Sequence, residues 1–586
     1  MTDEYTPHVL GSYGFIGDGE RGALIGPAGD IAWMCAPRWD SDAVFASLIG
    51  GDSVYAVTPT ERFTWGGHYE PASLIWHSRW VTAHGIIECR EALAYPAETN
   101  RVVVLRRIMA LDQPQTVEIR LAPRGGFGRD PLRDVHDHHH LWTGRVGQLW
   151  MRWQGPESVQ VTRASGGGQE LRSRVTVRPA EPVDLVLELS EQTLEDPVPD
   201  AALAWRVTET AWKDGAPSLG HTLDRQGADL AYAVMRGLTS KTGGMVAAAT
   251  TSLPERAEQG RNYDYRYVWI RDQAFAGQAV AAAGGHGLLD NAVSFITARL
   301  LDDGPNLTPA YRVDGTAIPD QRDLGLPGYP GGFDLLGNHV NEQFQLDAFG
   351  EALLLFAAAA DLDRLDDDGH RAAHLAAGAI EQRRGDPEAG IWEIDNRIWT
   401  HSQLICVAGL RQGARSALSR SPETSSWSLL AERILADTAA TSLHPDGHWQ
   451  RSPHDPHLDG SLLLPALRGA LPADDPRSEA TLHAYLDQLT DQGYAYRFRH
   501  GELPLGDAEG SFVLCGFVTA MSLHHQGHRL EAARWFERTA RCVGPSAIHG
   551  EEWDVAEHQL RGNLPQAFVH ALHLEAAARL AGPPGP

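Results

Sequence analysis

The chain has 586 residues, 76 acidic against 50 basic, a formal net charge of −26, and 42% hydrophobic with 22% charged residues. That length exceeds one ordinary core and predicts two or more domains in a soluble globular protein. The acidic excess repels phosphate and so argues against nucleic acid and anionic membranes as partners, leaving a neutral substrate.

Seventeen tryptophans are many for this length, and indoles suit pockets where sugar faces stack. Five cysteines (Cys35, Cys89, Cys406, Cys515, Cys542) lie far apart without a CxxC pair, which points to neither a zinc knuckle nor a disulfide scaffold. The start "MTDEYTPHVLGSYGFIG" has no basic, apolar leader, and no apolar run approaches the ~18 residues of a membrane helix. A cytoplasmic location is expected; oligomeric state is left open, homo-oligomers included.

From the N-terminus, "RVVVLRRIMAL", "TVEIRLAPR", "SRVTVRPA" and "VDLVLELS" cluster or alternate β-branched residues between turn residues. Their spacing predicts an antiparallel β-sandwich rather than βαβ units. "HDHHH" (His136 to His140) reads as a solvated loop, since no spaced carboxylate or cysteine completes a metal site. "EQTLEDPVPD" marks a boundary. After it, segments from "AALAWRVTETAWKDG" to "QAFVHALHLEAAARLAG" carry apolar residues at helical spacing. More than ten helices joined by Gly/Pro loops predict a toroid of helical hairpins with function in the loops. No short repeat suggests a solenoid.

"RNYDYRYVWIRDQAF" (Arg261 to Phe275) sets Arg271 and Asp272 beside Trp269. A fixed Arg–Asp pair next to an indole can hydrogen-bond vicinal hydroxyls, or can simply be a buried ion pair at a helix start. In "NEQFQLDAFGE", Gln343, Asp347 and Glu351 fall at i, i+4 and i+8, a predicted shared helix face. That stripe reads as a buried brace or as a set of groups orienting substrate. "GIWEIDNRIWTH" (Gly390 to His401) puts Glu393 between Trp392 and Ile394. Water-poor surroundings would raise its pKa and suit a general acid; a helix-end glutamate beside two tryptophans is the alternative. "HGEEWD" supplies a second glutamate next to a tryptophan, and paired carboxylates from separate loops are what acid/base glycoside hydrolysis needs.

Six motifs in order, the opening "GSYGFIGDGERGALIG", "MVAAATTSLPE" with "RNYDYRYVWIRD", "GNHVNEQFQLDAFGE", "GIWEI", "AEGSFVLCGF" and "GEEWD…GNLPQAF", resemble glycoside hydrolase family 15 over essentially the whole chain. The resemblance implies an N-terminal β-sandwich (1–195), a helical linker (196–220) and an (α/α)₆ barrel (221–586) with an inverting, exo-acting site and no cofactor or metal. It implies Glu393 as general acid and Glu551, rather than Glu552, as general base. It also implies that Arg271 and Asp272 hold a terminal glucose, that Tyr265 stands near its ring oxygen, and that Trp269 and Trp392 wall the pocket. Arg499, with Glu509 nearby, falls at the spacing of another sugar-contacting arginine.

Two departures bear on the leaving group. Phe333 and Asp334 stand where relatives carry Arg-Pro, and Gln403 replaces the lysine of an "HSK". The reading is an inverting α-glucosidase that releases β-glucose from small α-glucosides, with α,α-trehalase as the alternative. A disaccharide phosphorylase is disfavoured by the apparent base, and a non-catalytic sugar-binding protein by retention of both glutamates.

Overall fold

The two-residue period of an extended strand in Arg101–Ala110 puts Val102, Val104 and Ile108 on a buried face while Arg101, Val103, Arg107 and Met109 stay half-exposed. In the computed structural model, which describes residues 5–164, 166–255, 262–419 and 424–583, such strands form an eight-stranded antiparallel sheet. Its order is Asp130–Asp137, Leu141–Val146, Leu149–Gln154, Val183–Ser190, Arg101–Ala110, Ile86–Leu93, Trp76–Thr82 and Phe63–Tyr69. A four-stranded sheet (Gln160–Arg163, Gln169–Val177, Gln115–Ala122, Val54–Pro59) covers it. Trp76, Trp80, Trp153 and Leu187 of the first sheet share one core with Val117, Ile119 and Leu171 of the second. The sandwich predicted for this region is present. His136 to His140 are all exposed, at a strand end and the turn after it.

Helix α1 (Ala201–Asp214), capped by the Asp200 carboxylate on the Leu203 N–H (2.7 Å), lies on the large sheet, its Trp205 indole donating to Asp184 (3.3 Å). The chain then runs through α2 (Arg225–Leu238), α3 (Ile270–Ala283), α4 (His286–Asp303), α5 (Asp347–Asp361), α6 (Asp367–Arg383), α7 (Thr400–Arg415) and α8 (Thr424–Ser442). A 3₁₀ turn, Gly460–Leu463, leads into the single helical turn α9 (Leu464–Leu467), followed by α10 (Pro476–Gln488), α11 (Val513–His525), α12 (Arg529–Ala540) and α13 (Ala567–Ala581). Among the described residues, α3, α5, α7, α9, α11 and α13 pack each on the next and α13 closes back on α3, with α2, α4, α6, α8, α10 and α12 outside them.

That division follows from sequence. Helix α5, "DAFGEALLLFAAAAD", is buried almost throughout and belongs inside, whereas α12, "RLEAARWFERTA", buries only a stripe. Glycine sets one crossing: a Cβ on Gly350 of α5 would stand 2.8 Å from the Cys406 backbone of α7, and one on Gly409 would stand 2.4 Å from the Gly350 carbonyl.

The two domains share buried contacts. Trp33 of the sheet domain donates to the Ala249 carbonyl (2.7 Å), and Arg266 reaches back to the carbonyls of Trp39 (3.2 Å) and Ser41 (3.0 Å). Arg266 is also ion-paired with Asp264, whose carboxylate accepts the Gly337 N–H. The aromatic-rich motif thus carries one Arg–Asp pair for structure, leaving Arg271 and Asp272 for another use; its first residue, Arg261, lies outside the described residues. No helix among the described residues is long and apolar enough to cross a membrane.

Candidate active site

The connections that lead from an outer helix into α3, α5, α7, α11 and α13 share one rim, so these inner helices present their N-termini there. Those ends carry unpaired N–H groups and positive partial charge, a setting that favours carboxylates and hydroxyl oxygens. A cavity of about 300 Å³ sits at that rim. The loops before α3, α5, α7, α11 and α13 supply its walls.

Tyr265, Trp269, Arg271, Asp272, Trp392, Glu393 and Glu551 all line it. Trp269 precedes α3, and Arg271 and Asp272 occupy its first turn, which buries them at the cavity floor. Glu393 comes from the turn between α6 and α7, on no helix, with a backbone φ of +52°, a conformation costly for a residue with a Cβ. Its Oε1 accepts from the Trp269 indole N–H (2.8 Å) and the Arg271 guanidinium (3.2 Å), and its side chain is 22% exposed. The expected apolar neighbours Trp392 and Ile394 line the same cavity, while the donors on the Glu393 carboxyl itself are charged and polar. Trp392 is fixed by its own bond, indole N–H to Asp459 (2.6 Å), and Asp459 pairs with Arg451 (3.3 Å).

On the opposite loop Glu551 is buried and accepts the Tyr265 hydroxyl at 3.1 Å from each oxygen. Glu552 points the other way, its Oε2 accepting the Gly510 N–H (2.8 Å) outside the cavity. Burial, then the neighbouring Glu255, push the Glu551 carboxyl up to about 8 against the opposing pull of Arg497 and Tyr265. Burial likewise lifts Asp272 to about 6, Arg271 opposing.

A consequence is testable in the free enzyme. If Glu551 must be ionised to work, kcat/KM should fall as pH drops through an apparent pKa well above the ~4.3 of an ordinary glutamate. Glu255→Gln removes the largest repelling charge, while Asp272, Glu552, Tyr265 and Arg497 remain. The acid limb of the kcat/KM profile should then move to lower pH; an unmoved limb would show that Glu255 does not act on Glu551.

Other expected site residues lie elsewhere. Arg499 is exposed and spends its guanidinium on the Gln488 carbonyl (3.1 Å). Arg497 lines the cavity instead, because burying a guanidinium requires carboxylates and these stand at Arg497: Glu509 (2.9 Å) and Glu255 (3.8 Å). Glu509 is behind the wall, gripping Arg497 and His500. Phe333 is 49% exposed, its N–H donating to Asn262 (3.0 Å), and Asp334 caps the Leu326 N–H (2.7 Å); neither lines the cavity. Gln403 turns to the Arg384 carbonyl (2.8 Å).

The stripe Gln343–Asp347–Glu351 is broken, because α5 begins at Asp347 and Gln343 is extended before it. Gln343 lines the cavity, while Asp347 and Glu351 are sealed beneath, burial raising them to about 6 and about 7. Sequence reasoning missed Glu255 and Arg497. The signal for Glu255 was a carboxylate ten residues before Tyr265, at the end of "TTSLPE". The exposed lining residues His339 and Ile394 mark the mouth.

Comparison with known proteins agrees with this architecture. The model of glycosyl hydrolases family 15 matches residues 233–578, and that of the trehalase-like N-terminal domain matches 6–205. A trehalase of Mycolicibacterium smegmatis is 29% identical, covering 97% of this chain and 91% of its own. A trehalase of Mycobacterium tuberculosis is 28% identical over 97% of this chain and 89% of its own. The crystal structure of a bacterial glucoamylase complexed with acarbose superimposes with a TM-score of 0.70 at 13% identity, over 99% of this chain and 96% of that one, which shows the shared fold. With its family model matched from α2 to α13 and its sandwich matched ahead of it, the chain belongs to glycoside hydrolase family 15.

Proposed function

We propose that this glycoside hydrolase cleaves a small α-glucoside by inversion, and that its substrate is α,α-trehalose. The observation that supports the reading most is a cavity of about 300 Å³ with Glu393 and Glu551 on different loops and an arginine–aspartate pair among its lining residues. A monosaccharide unit on the floor meets Arg271 and Asp272, with Trp269 and Trp392 against its faces. Glu551 draws a proton from a water that attacks the anomeric carbon, and Glu393 gives one to the departing glycosidic oxygen. Tyr265, bonded to Glu551, keeps the base turned toward that water. Arg271 has a double part. Its donors reach both the Glu393 carboxylate (3.2 Å) and the hydroxyls of a sugar on the floor, so it couples the acid to the bound unit. The choice of trehalose rests on curated relatives that match nearly the whole chain under that name.

The test is proton NMR of fresh product. Inversion at one anomeric carbon of trehalose yields β-glucose from the attacked unit and α-glucose from the unit that leaves, in equal amounts before mutarotation. Retention yields α-glucose alone. Trehalose should exceed maltose, isomaltose and soluble starch in kcat/KM. If another α-glucoside is preferred, the trehalose assignment fails; if only α-glucose appears first, inversion fails.

A further inference from the structure

Between α8 and α9 the chain makes a tight turn, His444-Pro445-Asp446-Gly447-His448, away from the catalytic cavity. Leu443 and Trp449 pair across its base. The His444 N–H donates to the His448 carbonyl, the Gly447 N–H to the His444 carbonyl, each at 2.9 Å, and Gly447 supplies the left-handed conformation (φ +88°) that closes it. The closure sets both imidazoles on the same side, ring centroids 4.3 Å apart and planes within 9°. Asp446, at the tip, folds back so that its Oδ2 is 3.4 Å from His444 Nδ1. One donor atom from each of the three residues lies within 4.8 Å of the others.

We propose that this turn binds one divalent transition-metal ion of the zinc type, held by His444, Asp446 and His448. The tautomers support it. The Trp449 carbonyl can only accept, so His448 Nδ1, 3.0 Å away, carries the proton and Nε2 keeps its lone pair. This is the outer contact that orients a metal-bound histidine. His444 Nδ1 accepts the Asp446 backbone N–H (3.2 Å), so it is unprotonated, and a metal ion binding there replaces that N–H on its one lone pair. Two ligands at ~2.0–2.1 Å on a tetrahedral ion are ~3.4 Å apart, the separation already found between His444 Nδ1 and Asp446 Oδ2.

Closing the set requires the parallel rings to tilt. His444 is 26% exposed, and the outer torsion of a histidine is soft, so the tilt is available. The other end is rigid: His448 is buried, and the next residue, Trp449, is anchored by its N–H on Thr481 of α10 (3.0 Å). Two imidazoles and one carboxylate select Zn²⁺, Co²⁺, Ni²⁺ or Cu²⁺ over Ca²⁺ and Mg²⁺, which want oxygen ligands. Water completes the coordination. The exposed tract His136 to His140 has more histidines but brings no three ligands together among the described residues.

The full chain, stripped with chelator, should be titrated with Zn²⁺ by calorimetry and with Co²⁺ by visible absorption. One Zn²⁺ per chain should bind, and should displace Co²⁺ from a site whose d–d bands report nitrogen and oxygen ligands. Asp446→Asn and His448→Ala should each weaken binding at least ~10-fold. Asp446 is exposed, so its variant is not exposed to misfolding, and hydrolysis should be unchanged in it. Replacing all four histidines of the 136–140 tract by asparagine should leave the uptake intact. No stoichiometric Zn²⁺ binding, uptake that survives both turn substitutions, uptake lost with the tract, or a preference for Mg²⁺ would each overturn the proposal.

Discussion

Glu551→Gln and Glu393→Gln should each lower kcat on a natural disaccharide by at least ~10²–10⁴-fold while the fold persists, because each removes one of the two proton transfers of hydrolysis. The two should part on an aryl α-glucoside. A phenolate with a low pKa departs without a proton, so loss of the acid matters less there, whereas loss of the base matters equally on every substrate. The expected order on the aryl substrate is wild type, then Glu393→Gln, then Glu551→Gln. Near-wild-type turnover of the disaccharide by either variant would remove that residue from the chemistry.

The reverse order on the aryl substrate would exchange the roles, and the surroundings of the two carboxyls give that outcome a physical basis. Glu551, buried beside Glu255, is the carboxyl raised to about 8, while Glu393 is the one gripped by a guanidinium. A proton on Glu551 is the opposite of what the first step needs. Binding resolves the conflict if the proton on Glu551 leaves as substrate enters. The aryl comparison therefore tests that exchange as well as the identities.

Much of this arrangement was legible in sequence, for separable reasons. Helix periodicity gave the barrel, because inner and outer helices bury different fractions of their surface, as α5 and α12 do. Glu393, Glu551, Arg271 and Asp272 were conspicuous as charges embedded among tryptophans and at loop ends. Illegible were features fixed by tertiary packing. Gln343 looked like part of the α5 stripe, but the helix starts only at Asp347 because the preceding backbone is extended into the cavity wall. The donors to Glu393 were illegible because its neighbours in sequence are apolar, while Trp269 and Arg271, at the start of α3, come from more than a hundred residues away. Arg497 and Arg499, two residues apart, present the same pattern, and only the positions of Glu509 and Glu255 decide which is buried.

That last pair carries the largest expected effect on stability. Arg497 is buried and faces Glu509 (2.9 Å) and Glu255 (3.8 Å), with Glu551 and Glu552 also in its field. Removing one partner of a buried ion pair leaves uncompensated charge and costs ~3–5 kcal/mol. Arg497→Leu should therefore lower the unfolding temperature by several degrees or more at neutral pH. Arg499→Ala, which removes an exposed side chain bonded to one carbonyl, should change stability by no more than ~0.5 kcal/mol. The deficit of Arg497→Leu should also depend on pH in a definite direction. Without the guanidinium, Glu551 and Glu552, both raised by burial and both pulled down by Arg497, rise further above their unfolded values. Such groups destabilise the fold where the unfolded chain is ionised and relieve it as they take up protons, so the deficit should shrink as pH falls from 8 toward 5. Adding Glu509→Gln to Arg497→Leu should restore part of the loss at pH 8, since one unpaired carboxylate then disappears. A deficit that is equal at pH 8 and pH 5, or matched by Arg499→Ala, would mean that Arg497 does not hold this cluster of carboxylates together.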